Sequence, residues 1–178
     1  MKSSIPTILS TNRRLIAATC VFLSTVAAIG SSPWVVRFQG VGPVRIGMSL
    51  AQLSRALHEE FAMPDDPDEK ACFYAEPASH PGLAFMVQQG RVTRVDATQN
   101  LIATDTGIRV GDPEEKIIKT YGRRAKVEPH AYIPESGHYL TIYSADGKYG
   151  VRFETDAGKI TGFYAGESHA IAYIEGCL

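Results

Sequence analysis

Five histidines, His58, His80, His130, His138 and His169, are the residues of this sequence best suited to hold a metal or move a proton. A metal site needs imidazoles gathered by i, i+4 or two-residue spacing, and no pair among the five has it. Acyl transfer needs a hydroxyl raised on a glycine-framed elbow beside a base. Ser136 and His138 are close in sequence, but no such frame surrounds any serine. A pocket holding His130 or His138 beside a carboxylate is the arrangement a hydrolase would require. The run Asp65-Asp66-Pro67-Asp68-Glu69 lacks the turn glycine and ligand spacing of a calcium loop. It reads as a solvated acidic loop, available as a polar rim for a basic partner. The glycines fall at turns and form no phosphate cradle. The expectation is a non-enzymatic chain with no catalytic residue, no metal and no cofactor.

The tyrosines are more suggestive. In Tyr139-Leu140-Thr141-Ile142-Tyr143, strand alternation sends Leu140 and Ile142 to one side and Tyr139, Thr141 and Tyr143 to the other. On the next strand Arg152 and Glu154 oppose Val151 and Phe153. If the aliphatic side meets helices, Tyr139, Thr141, Tyr143, Arg152 and Glu154 form an outward face. Tyrosine and arginine dominate interface hot spots, so these five are the candidate partner-binding residues.

Elements that would position this face are legible around it. Ser49 with Gln52 makes a capping box, and Leu50, Leu53 and Leu57 follow at helical spacing, which predicts a helix from about Leu50 to Phe61. A second helix is predicted with Asp112 as cap, Pro113 at its first position, an apolar face of Ile117, Ile118 and Tyr121, and Gly122 as stop. Strands are predicted at 71–76, 83–88 and 91–98, then at 139–144, 149–154, 160–165 and 170–176. Asp146-Gly147 is a strong hairpin signal. Val92 and Val95 would fall on opposite sides of a regular strand, which predicts a bulge. The fold class is α+β, an antiparallel sheet with helices packed on one face.

The chain also resembles itself. Val44-Arg45-Ile46-Gly47-Met48 returns as Ile108-Arg109-Val110-Gly111-Asp112, and Leu53 and Leu57 return as Ile117 and Tyr121. Gly82-Leu83-Ala84-Phe85 returns as Gly150-Val151-Arg152-Phe153, and Gly90-Arg91-Val92-Thr93 as Gly158-Lys159-Ile160-Thr161. The order is preserved, which predicts two tandem β-α-β-meander repeats over about 40–103 and 104–178. Ile46-Gly47-Met48-Ser49 and Val110-Gly111-Asp112-Pro113, each before a short helix and a meander, resemble the β-lactamase inhibitor protein architecture. A single copy is similar to the small outer-membrane lipoprotein of β-barrel assembly. The resemblance implies a protein-binding or inhibitor-like role, or alternatively an envelope assembly or maintenance role. It differs in its cysteines: the inhibitor has a disulfide within each repeat, and the lipoprotein a lipidated cysteine after its signal.

Compartment is read from the N-terminus. Lys2, Arg13 and Arg14 precede an apolar stretch of roughly fifteen residues, short for a bilayer span, and small residues follow it. This predicts a signal peptide over 1–30 and a mature domain over 31–178, periplasmic or secreted, with no stable membrane insertion after cleavage. Ala17-Ala18-Thr19 before Cys20 is a poor lipobox. The chain has 18 Lys+Arg and 19 Asp+Glu, and loss of the three signal cations leaves a balance of −4. Such a surface argues against nucleic acid as a partner, leaving an envelope protein. Cys72 and Cys177, the cysteines beyond the signal, are predicted to pair in an oxidising compartment.

Overall fold

The structure is a computed structural model that describes residues 34–177. The expected signal segment, with Arg13, Arg14 and Cys20, lies outside the described residues. These form a mixed α+β domain, mostly strand, with two sheets and few helices. Strands β1 (Val35–Arg37), β2 (Gly40–Val41) and β3 (Val44–Arg45) make a small meander. Helix α1 (Leu50–Leu57) begins at the expected capping box and ends earlier than expected, at His58, which adopts a left-handed conformation. The acidic run is not plain loop. Asp66 caps α2 (Pro67–Ala71), accepting from the Asp68 and Glu69 amides.

Strands β4 (Cys72–Ala75), β5 (Leu83–Gln88) and β6 (Arg91–Ala97) follow, and β7 (Ala103–Thr104) returns to pair parallel with β1. Helix α3 (Glu115–Tyr121) starts later than Asp112 would predict and has no side-chain cap. Asp112 instead accepts from the Arg109 amide and pairs with Lys116, while Pro113 bridges to Lys159. Ile118, expected on the apolar face, is exposed. The remaining strands are β8 (Lys126–Pro129), β9 (Gly137–Tyr143), β10 (Tyr149–Asp156) and β11 (Lys159–Glu167). The last predicted strand, 170–176, is not one. Ala170–Ala172 form a 3-10 turn and the chain runs on irregularly to Cys177.

Seven strands make the main sheet, in the order β4-β5-β6-β11-β10-β9-β8, all neighbours antiparallel. One set of bonds recurs along the chain. The Gly47 amide donates to Val92 O (2.7 Å) and Gly111 to Ile160 O (2.8 Å). Val92 returns a bond to Met48 O (2.8 Å), and Ile160 to Asp112 O (2.9 Å). The ladder slips between Met86 and Val87, and again between Glu154 and Thr155. The first slip leaves Thr93 unpaired, and this bulge lets both Val92 and Val95 be buried.

Leu53, Leu57 and Ile117 from the helices share one core with Phe85, Val95, Leu140, Ile142, Val151, Phe153 and Phe163 from the strands. The second face of the sheet is also covered. Residues 168–177 turn back across it, and Cys72–Cys177 bonds their end to β4. Among the described residues no helix is long and apolar enough to cross a membrane. Closing a loop over a sequence separation of 105 stabilises by about 4–5 kcal/mol in the chain-entropy model. Cys177→Ser is expected to lose most of that in urea unfolding without reductant. A loss below about 1 kcal/mol would show that the tail is held without the bond.

Candidate functional site

The site follows from two arginines on the tail-covered face. Register places Tyr74, Met86, Arg94 and Gly166 in one row across four strands. The next row carries Asp96, Tyr164, Arg152 and Thr141. Arg94 is 3% exposed and Arg152 is 8% exposed. A buried guanidinium is tolerated only when its donors are matched and a counter-charge is near.

Arg94 meets both conditions. Nε donates to Asp96 Oδ1 (2.7 Å) and Nη2 to Asp96 Oδ2 (2.6 Å), a bidentate pair made possible because residues two apart share a face. Nη2 also donates to the Tyr74 hydroxyl (2.7 Å). Nη1 donates to the main-chain carbonyls of Ala170 (3.2 Å) and Tyr173 (2.8 Å). Its plane lies over the Tyr164 ring, 4.1 Å from the centroid. Arg152 repeats the pattern more loosely. It donates to Thr141 Oγ1 (2.8 Å), Glu128 Oε2 (3.1 Å) and Ile171 O (3.4 Å), and lies 4.8 Å from the Tyr139 ring. Both cations thus hold the backbone of the C-terminal segment.

Shape supports the same docking. A Cβ on Gly150 would stand 2.5 Å from Ile171 Cδ1, so glycine there leaves the socket that buries Ile171. Between segment and sheet lies a cavity of about 220 Å³ lined by Tyr74, Arg94, Asp96, Glu154, Tyr164 and Ile174.

This corrects the outward-face expectation. Tyr139, Thr141 and Arg152 do lie opposite Leu140 and Ile142, but all three are buried, because the C-terminal segment and the His130 ring cover them. Glu154 is half-buried, accepting from the Tyr164 hydroxyl (3.1 Å). Tyr143 alone of the five is exposed, at 40%. The exposed aromatic surface lies on the covering layer instead. Tyr132, Tyr173 and Ile174 border a groove of about 500 Å³ together with Gln88, Glu175 and the disulfide. The Tyr132 hydroxyl donates to the Glu175 carboxylate. Strand alternation carries no trace of this layer; the exposed Tyr173-Ile174 pair just before Cys177 is the one signal that points to it.

Histidines do stand beside carboxylates. His138 Nδ1 is 3.0 Å from Glu114 Oε2, and the same oxygen accepts from Thr155 Oγ1 (2.7 Å). His130 Nε2 lies 3.9 Å from Glu154 Oε2. Thr155 donates to Glu114 and Ser136 to Asp156, and neither hydroxyl bonds to an imidazole. His58 ends α1, and His169, in the covering segment before the 3-10 turn, lies 3.5 Å from Glu167 Oε2. His80 stacks on Trp34. Among the described residues no three His, Cys, Asp or Glu side chains are grouped to hold a metal.

No family model matches the chain, and no curated protein matches it. Among solved structures it is similar to an extracellular protein containing an SCP domain from Bacillus anthracis, at 10% identity and a TM-score of 0.45, covering 71% of this chain and 45% of that one. The chain therefore spans less than half the length of that protein. It is also similar to the uncharacterized protein yfeY from Escherichia coli, at 13% identity and a TM-score of 0.39, covering 75% of this chain and 99% of that one.

Burial, then the nearby Asp96 charge, push the Tyr74 phenol up from 10.0 to about 12, and burial raises Tyr164 as well. A phenol whose folded value is raised stabilises fully below its unfolded value and loses that contribution as pH rises through the folded one. Stability should therefore fall from about pH 10 upward. Of the eight tyrosines, at least two, Tyr74 and Tyr164, should ionise only on unfolding in an absorbance titration. Complete ionisation near pH 10 with the fold intact would contradict the burial of these phenols.

Proposed function

We propose that the chain is an exported, non-enzymatic binding protein of the cell envelope that engages a protein partner through aromatic side chains on its anchored C-terminal layer. We read its fold as β-lactamase inhibitor protein-like, two copies of one helix-plus-meander unit with their sheets joined at β6 and β11. The recurring Gly47–Val92 and Gly111–Ile160 bonds, and the two matching ladder slips, support duplication. The Cys72–Cys177 bond supports an oxidising compartment, periplasmic or secreted.

The observation that carries the binding role is the grouping of Tyr132 (62% exposed), Tyr173 (46%) and Ile174 (41%) around one groove. Large apolar side chains left in water together mark interaction sites, and tyrosine loses little entropy when it binds. The layer beneath is fixed by two guanidiniums and a disulfide, so less ordering would be lost on association. Tyr139, Thr141 and Arg152 then serve as the foundation of the surface, and Tyr143 remains at its edge.

A benzoylphenylalanine placed at position 132 is expected to crosslink one discrete envelope protein. Tyr173→Ala should reduce that adduct about tenfold or more while leaving the fold unchanged. An adduct unaffected by Tyr173→Ala, or matched by a probe at the equally exposed Leu101 (62%), would contradict the assignment.

A further inference from the structure

The C-terminal segment is held unevenly along its length. Up to Tyr173 its main chain is well bonded: the Ser168 amide donates to Lys148 O (2.9 Å), Arg94 takes the Ala170 and Tyr173 carbonyls, and Arg152 takes that of Ile171. Ile171 is fully buried in its socket over Gly150. Beyond Tyr173 the bonding stops. Among the described residues, no main-chain group of 174–177 bonds to another main-chain group, and the one side-chain bond there runs from the Tyr132 hydroxyl to Glu175. Gly176 rests on Tyr74, where an added Cβ would stand 2.5 Å from the phenol oxygen. What fastens this stretch is the bond from Cys177 to Cys72.

The same four residues stand between two spaces. On one side Ile174 and Glu175 border the aromatic groove. On the other, Ile174, Glu175 and Gly176 close the cavity of about 220 Å³ whose opposite wall carries Arg94, Asp96 and Tyr164. Thiol–disulfide exchange requires that a thiolate reach one of the sulfurs. Both cysteines are only half-buried, and both line the groove. Gln88, opposite Cys72 in register, lines it too, and its Oε1 is buried with no donor among the described residues. An acceptor left in this way weakens the closed arrangement around the disulfide and is relieved once water enters.

We propose that residues 174–177 are a redox-controlled lid that pivots at Tyr173 and is latched by Cys72–Cys177. An external dithiol opens it. Its thiolate bonds to one cysteine sulfur and expels the other cysteine as a thiolate; its second thiol then displaces the first cysteine. Two electrons and two protons pass to Cys72 and Cys177, and the dithiol leaves as its own disulfide. The guanidinium bonds at 170–173 survive, so the sheet stays covered while the lid swings away. Opening removes Ile174 and Glu175 from the groove, frees Tyr132 and admits water to the cavity beside Arg94. Resting on the reading of that groove as a binding surface, reduction then switches partner binding off.

Amide relaxation NMR of the oxidised protein, and of the protein reduced with dithiothreitol, tests the lid without any partner. On reduction the order parameters of 174–177 should fall from about 0.85 to below about 0.6, and the contact between Gly176 and the Tyr74 ring should vanish. Residues 170–173 should keep their order and their contacts to Arg94. Cys72→Ser with Cys177→Ser should reproduce the reduced protein with no reductant present. A stretch 174–177 that stays ordered after reduction overturns the proposal, as does release of 170–173 or unfolding along with it. With the lid shown to open, the crosslink from position 132 should drop about tenfold or more in the reduced protein. An adduct of equal yield in both redox states overturns the gating, whereas no adduct even from the oxidised protein counts against the binding surface and leaves the lid to be judged by its mobility.

Discussion

Arg94 sits in the interior with a charge it cannot lose, and a guanidinium there must have every N–H partnered. Asp96 and Tyr74 take three of the five donors. The other two find acceptors only in the carbonyls of Ala170 and Tyr173. The sheet therefore cannot be completed by its own strands. It needs the C-terminal segment to return, and the bond from Cys72 to Cys177 keeps that segment at hand. Arg152, Gly150 and Ile171 extend the same dependence to β10, two strands away.

From that dependence the placement of the surface follows. A segment laid on the polar face buries Tyr139, Thr141 and Arg152, so these residues support a surface without forming it. What the solvent meets is the outer side of the segment, with Tyr173 and Ile174, and the Tyr132 loop tied to it through Glu175. Buried charge seldom adds net stability compared with apolar packing. Its contribution here is register: carbonyls of three residues are fixed against two planar forks, which sets where the aromatic side chains stand.

Much of the sheet was legible because alternation is a local property. The strands expected at 83–88, 91–98 and 149–154, which form over 83–88, 91–97 and 149–156, the Ser49–Gln52 cap and the bulge near Val92 and Val95 all follow from neighbouring residues. The pairing of Cys72 with Cys177 follows from counting. Two readings failed for one reason, that a distant segment outweighs a local pattern. Alternation assigns sides correctly at Tyr139 and Arg152 but cannot say what lies beyond them. Residues 170–176 read as a strand by composition, yet no sheet edge receives them, and their carbonyls are taken by Arg94 and Arg152. Asp112 misled in a smaller way: its carboxylate serves Arg109 and Lys116 before the helix begins.

The account stands on the two guanidiniums holding the C-terminal backbone, and NMR of the arginine Nε–H and Nη–H signals in the oxidised protein examines it directly. Two arginines should give slowly exchanging signals with nuclear Overhauser contacts to residues 170–173, and both contacts should disappear in Arg94→Ala with Arg152→Ala. Arginine signals that all exchange rapidly, with no contact to that segment, would mean that the tail is not docked on the sheet and that the surface built on it does not exist.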